Sequence, residues 1–387
     1  MIIGQFCDAF PPNIDGVGRV ALSYCETLQD AGHRAIYVAP VAHNYDFSEA
    51  PCEVLGYYGS KIPGESYRIG IPLADYRYFQ KARKISFDIV HAHSPFVAGK
   101  EAIRIARKHN LPLVATFHSK YYDDFLIKTK SPFLARLGVR IIVRTLNQFD
   151  EVWTVNNATS DVLRSYGYNG NIVIMPNGTD PHEATDEDRR AVSEQFPIRD
   201  DVPKLLFVGQ QNYKKNIRGI LEACAMLLRQ NTKFQLIMVG RGPDEKLIRS
   251  EAAKLGFREN IDIVFTGFIG DRNLLMALYE RCDLLVFPSI YDNAPMVVRE
   301  AAVMGTPALV VTGSCASEGI THNQNGFLCA SPDAPQIAHG ILEALPLTDS
   351  VGAEAKRTIP IRWSEIIDSA LDRYKYLIEK KNAEHKV

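Results

Sequence analysis

The sequence predicts an α/β protein built as two Rossmann-like, doubly wound domains facing each other across a cleft, and three observations predict it. At 387 residues the chain exceeds what one hydrophobic core usually supports, so two domains are expected. Short β-branched runs alternate with helix-length runs, the pattern of parallel strands covered on both faces. That pattern runs twice, with a polar stretch between the two passes.

In order, MIIGQF opens with an apolar strand, Gly16-Val17-Gly18 leads into the helix VALSYCETLQDAG, and RAIYVAP is the second strand. DIVHAH, a helix to about His109, LPLVATFH, a long helical stretch, EVWTVN and NIVIMPN follow. After Pro176-Asn177-Gly178 the chain turns acidic through TDPHEATDEDRRAVSEQFPIRDD, which reads as a linker. KLLFVGQ restarts the pattern, continued by a helix from Asn216, FQLIMVGRG, IDIVFTGF, DLLVFPS and TPALVV. The expected boundaries are residues 1–180, 201–360 and a C-terminal helix within 361–387. Open α/β sheets bind ligands at the carboxyl ends of their strands.

Composition is that of an ordinary soluble globular chain, 46% hydrophobic and 23% charged. No run of 18 uncharged apolar residues suggests a membrane-spanning helix. The N-terminus lacks a basic stretch and reaches Pro11-Pro12 early, against a signal peptide, so a cytoplasmic location is expected. Seven scattered cysteines with no CxxC spacing indicate neither a disulfide framework nor a zinc site. The net charge of −1 hides a patch: residues 61–144 hold 16 Lys+Arg against 6 Asp+Glu, which suits an anionic surface or substrate.

The richest motif is PSIYDNAPMVVREAAVMGTPALVV, residues 288–311. It sets Asp292 in a loop and Glu300 on the helix that follows. Asn293, Ala294, Pro295 and Met296 open that helix, where orphan N–H donors and the macrodipole favour an anion such as a diphosphate. A carboxylate two turns further on can accept from vicinal hydroxyls such as those of a ribose. For this pair alone, an ordinary capped helix beside a strand is an equal reading.

Other strand ends carry candidates. Gly16 and Gly18 could let backbone approach a phosphate, without forming a GxGxxG fingerprint. His118 ends the strand LPLVAT. His91-x-His93 ends another and superficially suggests a metal pair, but no third ligand accompanies it, so no metal is expected. Gly209 to Asn216 follows the first strand of the second half and contains Gln210, Lys214 and Lys215. Gly240 and Arg241 close the next strand, and Phe268 and Ile269 follow IDIVFTG. Arg136, Arg140 and Arg144 recur every four positions and, with Lys128 and Lys130, form a basic stripe with no acidic residue between Lys128 and Arg144. That stripe fits either a membrane-docking surface or one solvated face of a core helix.

On these residues the chain resembles the retaining family-4 glycosyltransferases of GT-B fold, the glycosyl transferases group 1. Their signature, Glu, seven residues, Glu, Ala and then Gly-x-Pro, stands here as Asp292, seven residues, Glu300-Ala301-Ala302, then Gly305-Thr306-Pro307. The resemblance runs from Gly16 to Trp363 and is most specific between Gly209 and Pro307. It implies that Glu300 binds the donor ribose and Asp292 the hydroxyls of the transferred sugar. It places Gly16 and Gly18 over the donor diphosphate, His118 beside the reacting sugar carbon and Lys215 on the leaving diphosphate. Gly240 and Arg241 would wall the nucleotide pocket, and the backbone at Phe268 and Ile269 would pair with the base. The C-terminal helix would cross back onto the N-terminal, acceptor-binding domain. Gln210 stands where the family has an arginine, Asp292 where it has a glutamate, and Asn293 and Pro295 where glycines are usual; these departures leave the donor sugar open.

The expected activity is therefore a retaining, metal-independent transfer of a hexose from a nucleoside diphosphate sugar, UDP-linked, to a lipid-linked or saccharide acceptor. The nucleotide sugar is a substrate, so no cofactor is expected, and no nucleic acid partner. The favoured chemistry is front-face attack, since only Asp123 and Asp124 lie near His118 in sequence. Peripheral attachment to an anionic membrane at its inner face is the expectation for the basic stripe. A nucleotide-sugar epimerase and a catalytically silent nucleotide-sugar-binding protein are the alternatives.

Overall fold

A computed structural model describes residues 1–11, 15–48, 50–61 and 68–384. The chain divides into two compact units, one of Met1–Gly178 with the segment from Trp363 to the C-terminus, the other of Thr179–Arg362.

The first unit is built on an eight-stranded sheet. Its strands are β1 (Ile2–Phe6), β2 (Arg34–Val41), β3 (Glu53–Lys61), β4 (Arg68–Gly70), β5 (Ile89–Ala92), β6 (Leu113–Phe117), β7 (Glu151–Thr154) and β8 (Ile172–Ile174). Their order is β4-β3-β2-β1-β5-β6-β7-β8, parallel except for β4 against β3. β1, β5 and β6 are almost wholly buried, as strands with helices on both faces must be. Strand order reverses between β1 and β5, which makes the carboxyl ends of these two strands the topological switch point, where such sheets bind ligands.

The second unit carries six parallel strands, β9 (Lys204–Val208), β10 (Gln235–Val239), β11 (Ile263–Gly267), β12 (Leu284–Val286), β13 (Ala308–Val311) and β14 (Phe327–Cys329). Their order, β11-β10-β9-β12-β13-β14, is the Rossmann order 3-2-1-4-5-6, with its switch point at β9 and β12. The expected linker does not exist as such. Its acidic run is the first turn of a helix, Asp186–Gln195, closed by a capping box between Thr185 and Asp188. Three acidic residues at the positive end of a helix are favourable, so the charge cluster marks a helix start. The helix packs in the second unit through Val192, fully buried, and through Arg189, 2.7 Å from Glu280.

The chain leaves the first unit at Gly178 and re-enters at Trp363, and these two points touch: a Cβ on Gly178 would stand 2.5 Å from the Trp363 indole. The helix Trp363–Glu384 then lies on the first unit. Trp363 packs on the Tyr24 ring, centroids 5.6 Å apart, and Tyr374 stacks on Trp153 at 5.4 Å and 13°. Arg373 pairs with Glu151, which is 2% exposed and also accepts from the Trp153 indole N–H at 2.6 Å. Removing one partner of such a pair strands a buried charge. Arg373→Met should cost about 2 kcal/mol in urea unfolding, and adding Glu151→Gln should recover part of that loss; a single variant as stable as wild type would show the pair to be idle.

Candidate functional site

In the second unit, β9 and β12 run side by side and their carboxyl-end loops meet. Asn216 adopts a left-handed conformation, φ 58°, between the turn Tyr213–Lys215 and the helix Ile217–Arg229. Its amide donates to the Pro332 carbonyl at 2.7 Å, which fixes the loop after β9 against a distant segment. The loop thus holds Lys215 so that its ammonium donates to Asp292 Oδ1, while Ser289 Oγ donates to the other carboxylate oxygen at 2.6 Å. Two residues singled out 77 positions apart are brought into one ion pair.

The neighbouring strand ends approach backbone to backbone. A Cβ on Gly240, φ 120°, would stand 2.0 Å from the Gly209 carbonyl oxygen, so only glycine fits there. Arg241 lies over Gly267, its Nε 3.5 Å from where a Cβ would be, and Phe268 beside it is 71% exposed. Gln210 is exposed, whereas Gln211 is buried with both amide atoms lacking a hydrogen-bond partner among the described residues. An orphaned buried amide costs on the order of 1–3 kcal/mol and marks a place that water or a ligand completes. Gln211 was not picked from the sequence.

Asn293 and Ala294 lie in the loop, and Pro295 is the N-cap of the helix Met296–Val303, with no side chain capping it. Glu300 stands four residues past the first helical residue, one turn in and not two. It accepts from Arg272 Nη1 at 3.0 Å and from Tyr279 Oη at 3.2 Å. Burial, then the charge of Glu300, pushes the Tyr279 hydroxyl well above its ordinary pKa, so it stays a donor. Neither partner was legible from the sequence. Arg299 turns instead to the Ile359 carbonyl, 3.1 Å away.

In the first unit, Gly16 and Gly18 are the opening turn of the helix Gly16–Asp30, not a loop ahead of it. The Gly18 N–H donates to the Asp15 carboxylate at 2.8 Å, so an anion there would compete with Asp15. Asp8, unpicked, lies just beyond β1 at the switch point. It accepts from Ser94 Oγ at 2.5 Å and Ala98 N at 3.0 Å, and burial raises its pKa to about 6. His118 follows β6 and is 8% exposed; burial lowers its pKa to about 3. His91 and His93, both fully buried, have both ring nitrogens engaged in hydrogen bonds with protein partners. Asp123 and Asp124 occupy the first turn of the helix Tyr121–Thr129.

Two family models together match most of the chain: "Glycosyltransferase Family 4" over residues 14–183 and "Glycosyl transferases group 1" over residues 188–357. The chain belongs to the family-4 glycosyltransferases of GT-B fold. It is 27% identical over 346 residues to an alpha-monoglucosyldiacylglycerol synthase of Acholeplasma laidlawii, covering 84% of this chain and 85% of that one. It is 25% identical over 385 residues to a GDP-mannose-dependent alpha-mannosyltransferase of Corynebacterium glutamicum, covering 97% and 88%. The fold of HepE from Anabaena, solved with UDP and glucose, matches with a TM-score of 0.76 at 19% identity, covering 97% and 99%. Sucrose-phosphate synthase from Thermosynechococcus elongatus matches with a TM-score of 0.80 at 17% identity, covering 98% and 100%.

The basic stripe of this glycosyltransferase lies on two helices, Tyr121–Thr129 and Pro132–Leu146, separated at Lys130, which takes a left-handed turn at φ 52°. The second is not a core helix with one polar face. It buries Ala135, Val139, Ile142, Val143 and Leu146, and exposes Arg136, Arg140 and Arg144 beside Phe133, Leu134, Leu137 and Ile141. Phe133 is 74% exposed. At 100° per residue the arginines and the apolar side chains share one exposed arc and overlap in its middle, where Phe133 falls between Arg140 and Arg144. Beside β2 to β4, a cavity of about 890 Å³ is lined by Phe47, Tyr58, Ile71 and Tyr76 with Arg77 and Lys81. Among the described residues no helix is long and apolar enough to cross a membrane.

The three buried histidines give the glycosyltransferase a pH dependence of stability. Burial, the largest cause for each, lowers all three pKa values, so the unfolded chain binds protons near pH 6.5 that the folded chain does not. Their contribution is therefore full above 6.5 and is lost as pH falls. The urea midpoint should drop between pH 7.5 and 5.5, and His91→Asn should flatten that slope; an unchanged slope would mean His91 is not held neutral.

Proposed function

We propose that this glycosyltransferase moves a hexose from a UDP-sugar to a lipid-linked acceptor at a membrane surface, with retention of anomeric configuration and without a metal ion. The observation that carries the donor assignment is the junction of the Lys215–Asp292 pair with the uncapped helix start at Met296 and Glu300 one turn beyond. A UDP complex among the matching folds and glucosyl- and mannosyltransferases among the relatives support it.

The diphosphate would take Lys215 from Asp292, freeing that carboxylate to accept from sugar hydroxyls, while Glu300 receives the ribose hydroxyls. The bond from the anomeric carbon to the diphosphate oxygen breaks. Lys215 and the N-terminal donors of the helix Met296–Val303 stabilise the charge that grows on the leaving group. The acceptor oxygen bonds to the same face of the carbon, and its proton passes to the departing phosphate oxygen. Labelled UDP-glucose, UDP-galactose and GDP-mannose, each offered a lipid extract and soluble saccharides, test this reading. Transfer of label to the lipid phase from a UDP-sugar is expected; transfer only to saccharides, or donor conversion without acceptor as an epimerase would give, overturns it.

Glu300→Gln keeps volume and one acceptor oxygen but removes the charge. It should weaken UDP binding about tenfold in isothermal titration while the melting temperature holds; unchanged affinity would sink the ribose assignment. A charge-assisted hydrogen bond contributes on the order of 1.5–3 kcal/mol. Lys215→Ala should accordingly lower kcat by roughly 10- to 100-fold, more than it raises KM.

The acceptor reading rests on the helix Pro132–Leu146, whose exposed face pairs apolar side chains with three arginines. Each such cation near an anionic surface contributes on the order of 1 kcal/mol, screened by salt. Co-sedimentation with anionic vesicles at low salt, absent with neutral ones and abolished by Arg136→Glu, Arg140→Glu and Arg144→Glu together, is the expected result. No binding at low salt would favour a soluble saccharide acceptor.

A further inference from the structure

The cavity beside β2 to β4 has no part in the reading above, yet it is built rather than accidental. Asp75 accepts from Tyr58 N at 2.9 Å with one carboxylate oxygen and from Tyr78 N at 3.0 Å with the other, which ties the helix Tyr76–Ala82 to β3. Tyr78 is buried and donates its hydroxyl to Glu101 at 2.7 Å. At Gly56 a Cβ would stand 2.6 Å from Val41 and 3.1 Å from Phe47, so the Phe47 ring reaches bare backbone that a side chain would cover. The volume of about 890 Å³ is that of a ligand site, roughly 300–1,000 Å³.

Two features of its rim say what it takes. Residues 69–74 carry no charged or hydrogen-bonding side chain, and Ile69, Ile71, Leu73 and Tyr76 all stand exposed, Ile71 at 70% and Tyr76 at 73%. A contiguous apolar patch of this kind marks a surface that something covers. Around it the charge has one sign: residues 68–84 hold five Lys+Arg against one acidic residue, and that one is Asp75, whose oxygens are both spent on backbone N–H groups. Arg77 and Lys81 stand one helical turn apart, line the cavity, and have no ion pair among the described residues. A soluble saccharide would meet the rings and leave Ile71 and Leu73 in water. A second copy of this chain would bring the same excess of cations. An anionic phospholipid answers both features, with acyl chains for the apolar rim and a phosphate for the cations.

We propose that this cavity is a lipid site: it takes an acyl chain of an anionic phospholipid whose phosphate lies between Arg77 and Lys81, while Ile71, Leu73 and Tyr76 dip into the bilayer around it. Tyr76, apolar in body and polar at its tip, suits the boundary between acyl chains and headgroups. The proposal rests on the membrane reading above for its class of partner. It uses none of the residues of the helix Pro132–Leu146, however, and a single lipid molecule suffices to fill the site.

Tryptophan fluorescence reads the site directly. Trp153 and Trp363, the two tryptophans of the chain, are both buried, so Ile71→Trp adds one exposed reporter at a position that folding does not depend on. With vesicles of phosphatidylglycerol and phosphatidylcholine its emission should shift to the blue and be quenched by a spin label near the top of the acyl chains, while the unsubstituted protein shows neither change. Titration with a short-chain phosphatidylglycerol below its micelle concentration should give a saturable shift, absent with phosphatidylcholine of the same chain length. Arg77→Glu with Lys81→Glu should weaken both responses about tenfold, the melting temperature holding. No response to the monomeric lipid, an equal response to phosphatidylcholine, or full binding by the double variant overturns the site. Sedimentation with vesicles and no change in the Ile71→Trp emission also overturns it and leaves the membrane reading standing. A saturable response to the monomer in protein that does not sediment with vesicles overturns the membrane reading and leaves the site, so the two failures are distinguishable.

Discussion

The contact on which the first unit depends is the ion pair between Glu151, at the start of β7, and Arg373, on the last helix. A carboxylate 2% exposed cannot remain charged without a cation or several donors, and the only other donor it has among the described residues is the Trp153 indole. The guanidinium arrives after the chain has completed the whole of the second unit and returned past Gly178. The next residue, Tyr374, carries its hydroxyl into the cluster behind His118. Two adjacent residues of one helix thus satisfy a buried charge and a buried polar network.

The second unit solves a different problem, that of leaving room for charge where strands converge. At Gly209 and Gly240 the backbones come so close that no side chain fits between them, so the functional groups sit beyond, in the loops after β9 and β12. There Lys215 and Asp292 neutralise each other, and Arg272 and Tyr279 hold Glu300. Lys215, Asp292 and Glu300 are thereby each held by a protein partner before a ligand arrives.

Much of this was legible in the sequence because it is local. Alternating strands and helices gave the two Rossmann-like units, and the candidates fell at the carboxyl ends of strands because that end is fixed by chain direction, with Lys215 and Asp292 meeting at the switch point of β9 and β12. What was not legible is what only tertiary contact decides. Glu300's partners lie 28 and 21 positions away. The acidic stretch after Gly178 looked like a linker because its helix buries little beyond Val192. The helix Pro132–Leu146 is apolar on more than one side, so periodicity alone could not say that Val139 faces the core and Phe133 does not. Asp15 capping Gly18 is local, and an Asp three residues before a helical amide could have been read as an N-cap.

The departures from the family pattern make physical sense together. Where the family places an arginine after the first glycine, this chain has the exposed, uncharged Gln210, and where it places a glutamate, the shorter Asp292. Here one cation, Lys215, faces one carboxylate at contact distance, braced by Ser289. On the reading proposed above, an incoming diphosphate would displace Asp292 from Lys215. Donor binding would then be tied to the release of the carboxylate that the sugar hydroxyls need, so a diphosphate bearing a sugar that engages Asp292 would be held better than one that leaves it unpaired.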